Sequence, residues 1–138
     1  MIIDDYHKII AEVVEINTDT TSIADSRRLI TEINDRETIL LKLKENVKKD
    51  IRIRESNFLK EKSALRNKYS MKQTNGITGM IMGSPKKKLI KELKRLEFKS
   101  KHDIEELKDI KYIIDDLLVQ FDDIKLPLNR SMRERFGN

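Results

Sequence analysis

Cysteine and tryptophan are absent from this 138-residue chain, proline occurs twice, glycine four times, and aromatic residues make up 5%. Without cysteine there is no disulfide, no thiolate nucleophile and no cysteine zinc site. So little glycine, proline and aromatic content argues against a compact β-sandwich or α/β enzyme of this length, whose turns and core layers consume those residues. No run approaches the roughly 18 apolar residues of a membrane span. The opening MIIDDYHKII lacks the basic start and long apolar stretch of a signal peptide. A soluble, cytoplasmic protein with no membrane partner is the expectation.

What the chain has is charge. Asp, Glu, Lys and Arg make up 38% of it, well above the roughly 25% of an average soluble domain. The net charge is +5, which hints at an acidic partner. Such a composition suits an all-α protein of long helices with much solvated surface.

Hydrophobic spacing divides the chain. Ile3, Tyr6, Ile10, Val13 and Val14 predict a short amphipathic helix over 3–17. Asn17 to Ser22 is a polar cluster whose side chains compete for backbone hydrogen bonds, so it predicts a turn ending in an N-cap at Ser22, with Asp25 three residues on. Residues 22–69 predict one long helix. Its seam runs through Ile23, Ile30, Ile33, Leu40, Leu43, Val47, Ile51, Phe58 and Leu65, with eleven-residue spacings from Val47 to Phe58 to Tyr69.

Residues 70–85 hold three of the four glycines and Pro85, and predict a loop with an apolar set, Ile77, Met80, Ile81 and Met82. That set is either a feature of a mobile tip or a contact site. A second long helix is expected over 86–124, on Leu93, Leu96, Leu107, Ile110, Ile114, Leu117, Phe121 and Ile124, with Ser100 and Asp103 interrupting the seam. Pro127 is expected to end it, leaving a basic tail over 125–138 with Met132 and Phe136 as anchors. The predicted fold is a single helical domain over 1–138: a long antiparallel hairpin with the short helix packed at its base, the one place where three helices can bury a core. A turn near Thr78 would set Phe58 opposite Glu97, Ile51 opposite Ile104 and Leu40 opposite about Asp115.

Charge is sorted along this hairpin. Residues 1–41 carry a net −5 and 102–123 a net −6; residues 42–68 and 86–101 carry +6 each, and 124–138 carry +3. Folding back would place the two basic segments side by side at the tip and the two acidic ones at the base. A basic half of this kind attracts polyanions, largely without regard to sequence. The acidic base could in turn receive Arg130, Arg133 or Arg135 from the same chain or a neighbouring one, and helical pairs with incomplete apolar burial commonly self-associate.

Catalytic patterns are missing. His7 and His102 have no ligand spacing. Asp4-Asp5, Asp115-Asp116 and Asp122-Asp123 are adjacent pairs, which diverge by about 100° on a helix and do not converge on one metal. There is no Gly-rich phosphate loop and no Ser/His/Asp set. The expectation is a protein that is not an enzyme, with no metal and no cofactor.

Lys62-Ser63-Ala64-Leu65-Arg66-Asn67-Lys68-Tyr69-Ser70 resembles a segment of the UvsY family of phage recombination mediators, in which Lys-x-Ala-Leu-basic-x-basic precedes tyrosine, serine and a loop. The acidic amphipathic opening followed by Ile16-Asn17 is similar too, as are the total length, the order of elements and the late Phe136-Gly137. Where the family has a tyrosine pair and then glycine, this chain has Lys68-Tyr69-Ser70-Met71. The resemblance implies single-stranded DNA binding, homo-oligomers, a recombinase and a single-stranded-DNA-binding protein as partners, and a host cytoplasm as the setting. It also implies Arg66 and Lys68 as DNA contacts. Lys60, Lys62, Lys86, Lys87 and Lys88 join them as candidates from the basic segments. Phe58, Tyr69 and Phe98 are the aromatics near that surface, so binding would be dominated by phosphates. The rival reading is a structural or adaptor coiled coil whose charges set helix pairing and solubility.

Overall fold

The computed structural model describes residues 2–73 and 85–136. Among these there are three helices and no strand: α1 (Ile3–Val13), α2 (Ile23–Gln73) and α3 (Pro85–Phe136). The all-α expectation of two long helices with a short N-terminal one holds. The loop expected over 70–85 lies outside the described residues except at its edges, where 70–73 continue α2 and Pro85 opens α3. The apolar set 77–82 is likewise outside them.

The chain forms two compact units, one of residues 1–48 with 108–138 and the other of residues 49–107. In the first, α1 packs with the start of α2 and the end of α3. Its core is Tyr6, Ile10 and Val13 from α1, Leu29, Ile33, Leu40, Leu43 and Val47 from α2, and Ile110, Ile114 and Phe121 from α3. Three-helix packing explains why burial concentrates here. Leu29 belongs to this core although the expected seam named Ile30 and Ile23; Ile30 is half-buried and Ile23 is 37% exposed.

Local chemistry sets the connection between α1 and α2. The Asp5 carboxylate accepts from the Ile2 backbone N–H at 3.3 Å, which satisfies a donor at the start of α1. α1 stops at Val13, four residues short of the expected end. Asn17 then accepts from the Asp19 N–H, and Asp19 from the Thr21 N–H, two successive Asx turns. Ser22 Oγ accepts from the Asp25 N–H at 3.1 Å, as the N-cap reading expects, and the Thr21 hydroxyl donates to the Asp25 carboxylate. Arg28 donates to the carbonyls of Asn17 and Asp19 and to Glu32, so one guanidinium ties the turn to α2.

Within this unit α2 and α3 run antiparallel. Lys44 sits 2.6 Å from Asp115, and Lys125 reaches Glu37 at 2.7 Å and Asn34 Oδ1 at 3.0 Å. Asp115 therefore pairs one turn beyond Leu40, the residue expected opposite it. Coinciding apolar layers set the register of a helix pair, and the long charged side chains follow. Lys125 directs its aligned hydrogen bond at Asn34, while Glu37 Oε1 has no aligned donor and is held by the nearby charge. Both members of the Lys125–Glu37 pair are about one-fifth exposed. Lys125→Met should therefore lower stability by about 1–3 kcal/mol by stranding the carboxylate, and adding Glu37→Leu should recover most of that. Urea unfolding midpoints of the two variants check it.

Pro127 does not end the second helix, which continues to Phe136. The basic tail expected over 125–138 is thus helical as far as the described residues go. Pro127 is exposed, so the carbonyl one turn before it, left without its N–H donor, can turn to water. Leu128, Ser131 and Met132 carry on the half-buried side beyond it, and packing on that side outweighs the lost bond.

In the second unit Arg54 meets Asp103 at 3.0 Å, and Tyr69 bonds to Glu92, again antiparallel. Asp103, the polar interruption of the seam, is thus a cross-helix ion-pair partner. Phe58 shares a groove of about 100 Å³ with Leu96, Lys99 and Ser100, near its expected level. Val47 and Tyr69 are buried and Phe58 is half-buried, so the eleven-residue spacing marks inward positions along α2.

Candidate nucleic-acid interface

From Leu93 to Ser131 a seam of α3 steps by three and four through 93, 96, 100, 103, 107, 110, 114, 117, 121, 124, 128 and 131, all buried or half-buried, with further half-buried residues at 104, 106, 111, 115, 118 and 125 beside it. This assigns every other residue a place around the helix. In the second unit the side turned away from the seam carries Lys87, Lys88, Lys91, Lys94, Arg95, Phe98, Lys101 and His102, all exposed. Between Lys87 and His102 no acidic residue lies on it; the next residue of the Phe98 row, Glu105, opens the acidic segment. The two acids of this stretch, Glu92 and Glu97, flank the seam instead, and Glu92 is engaged by Tyr69. At the centre of the basic side Phe98 is 79% exposed. His102 pairs with Glu106 at 3.0 Å, one turn towards the acidic segment.

Among the residues expected at the interface, Lys87 and Lys88 belong to this side. Lys86 sits on the side of the helix that carries the seam further along. On α2, Lys62 and Arg66 are one turn apart and share a flank. Lys68 is two residues beyond Arg66, about 200° around the helix, and projects from the other flank, so the two do not form one contact. Lys60 lies about 120° from Arg66 on the same count. Lys60, Arg66 and Lys68 are exposed, and Lys62 is half-buried. The Lys62 ammonium is 5.7 Å from the centre of the Phe58 ring, and that of Lys68 is 5.6 Å from the Tyr69 ring.

Three of these aromatics have different fates. Tyr69 is only 3% exposed. The hydrogen bond its hydroxyl donates to Glu92, then its burial, then the Glu92 charge, hold that hydroxyl above the ordinary tyrosine range. Its protonated form is favoured by folding, so this contribution is complete below the unfolded tyrosine pKa and is lost as pH rises through the higher folded value. Glu92→Gln should bring the Tyr69 phenolate transition down in pH, which ultraviolet difference absorbance would follow. Phe58 is half-buried beside Lys62. Phe98 alone of the three presents its ring to solvent.

Lys91, Lys94, Arg95, Lys99 and Lys101 were not among the expected site residues. Their signal was present in the segment's net +6 and would have emerged by laying the 3-4 alternation over 86–101. No helix among the described residues is long and apolar enough to cross a membrane. No protein-family model matches the chain, and neither does any curated protein or solved structure.

Proposed function

We propose that the protein is an oligomeric accessory factor that binds single-stranded nucleic acid through the outer side of α3 between Lys87 and Lys101. The observation that carries this reading is the acid-free row of lysines and arginine around the exposed Phe98. Lysines and arginines neutralise successive phosphates, and a solvent-facing ring offers a base a stacking surface that any base can use. Paired bases in a duplex have no free face for Phe98, so single strands are preferred. The UvsY-like segment at 62–70 supports the same class of ligand and makes loading of a recombinase onto strands covered by a single-stranded-DNA-binding protein the role proposed for it.

Ultraviolet crosslinking of a halogenated single strand, followed by peptide mapping, tests the location. The expected adducts fall on the peptide containing Phe98. Adducts confined to other peptides would remove the reading. Self-association is part of the proposal, supported by the apolar side chains that α2 leaves exposed, Leu41, Ile53 and Leu59. Sedimentation should give a mass above the 16.3 kDa of one chain, and a concentration-independent monomer would contradict it.

A further inference from the structure

The first unit carries a second outward stripe on α3, of opposite character. Tyr112, Val119 and Leu126 recur every seven residues at the place farthest from the seam, and are 67%, 59% and 63% exposed. In a helix that packs by one seam, this is where solvated residues belong. Three large apolar side chains there form a seam of their own. Beside them runs a parallel row of exposed carboxylates, Asp109, Asp116 and Asp123, spaced by the same seven residues. None of the ion pairs among the described residues uses these three; on the other side of the stripe, Asp115 is taken by Lys44 and Asp122 lies 3.9 Å from Lys125.

We infer that this face of α3 docks a basic amphipathic helix of a partner protein. Apolar side chains repeated every seven residues are met by another helix that offers its own seven-residue seam. The row of aspartates selects lysine or arginine at the positions flanking that seam. From Tyr112 to Leu126 the stripe is about 21 Å long, so the occupant needs roughly four turns. Charge argues against the same face of a second copy, because pairing the stripe with itself would bring the two aspartate rows into one interface. The basic segments of a second copy fit poorly as well. Their exposed apolar residues, Ile53 and Leu59 on α2 and Ile90 and Phe98 on α3, do not recur at seven. At Arg130, seven residues or about two turns beyond Asp123, the row changes sign, so the basic stretch of the partner ends there.

The test uses the full chain and two synthetic helical peptides of three heptads. Both carry the same leucine seam, one flanked by lysines and the other by glutamates. Isothermal titration should show the lysine peptide binding at least tenfold more tightly than its twin. Val119→Ser with Leu126→Ser should weaken the lysine peptide at least tenfold, and Asp116→Asn with Asp123→Asn should erase the preference between the two. Both pairs of positions are exposed, and helix content by circular dichroism confirms that the variants are folded. Equal binding of the two peptides, or no binding of either, overturns the inference. So does undiminished binding to the serine variant, which would mean attraction by charge alone. A fall in sedimentation mass of the serine variant without added peptide would identify a second copy as the occupant and overturns it too.

Discussion

Changing Lys91, Lys94 and Arg95 together to alanine is expected to weaken single-strand binding for every sequence alike and to flatten its salt dependence. Each lost phosphate contact removes about 0.7 from the log–log salt slope for single strands, so three remove about 2. The three positions are exposed on the basic side of α3, and none of the ion pairs among the described residues takes them. Helix content should be kept, because alanine is at least as good a helix former. A variant that loses the same charge elsewhere, Lys8→Ala with Arg27→Ala and Lys42→Ala, should change the slope much less; equal loss would mean that net charge alone decides. Phe98→Ala should act differently. It removes a stacking surface worth about 1–3 kcal/mol, or roughly 5- to 150-fold in affinity, while leaving the slope unchanged. Arg66→Ala with Lys68→Ala should fall between the face variant and the charge control, since these two project from opposite flanks of α2.

The second large effect is on stability. Ile114 is fully buried in the three-helix unit, between Ile110 and Phe121 of the same seam, which are also buried. Ile114→Ala should cost about 2–5 kcal/mol, from lost transfer energy plus the cavity left behind. That is a large part of the roughly 5–15 kcal/mol that holds a domain folded. Val119→Ala, five residues along the same helix but 59% exposed, should change stability by no more than about 0.5 kcal/mol. Chemical denaturation of the two variants compares them directly. A small loss at Ile114 would mean that this unit is loosely packed.

Periodicity made the helices and the three-helix core legible, because a 3-4 alternation of Ile110, Ile114, Leu117 and Phe121 fits one burial pattern. Leu29 was misjudged for Ile30 because neighbouring apolar residues near a helix start are equally good candidates until α1 is in place. Pro127 misled for a different reason. A missing N–H ends a helix only when the freed carbonyl has nowhere to turn, and exposure at that point depends on the fold rather than on the dipeptide. The candidate interface was half legible. Counting charge by segment located it, but the motif Lys62 to Ser70 drew attention to α2, where the basic residues spread around the helix. The row on α3 needed the seam to be fixed before its outer side could be named, and the same step separated Phe98 from the buried Tyr69.

The most direct test of the nucleic-acid reading is a fluorescence-anisotropy titration of a labelled single-stranded oligonucleotide with the unmodified protein at two salt concentrations. The account predicts saturable binding at low salt, weakening at high salt by the factor that several phosphate contacts require. No anisotropy change at low salt, or binding indifferent to salt, would contradict it.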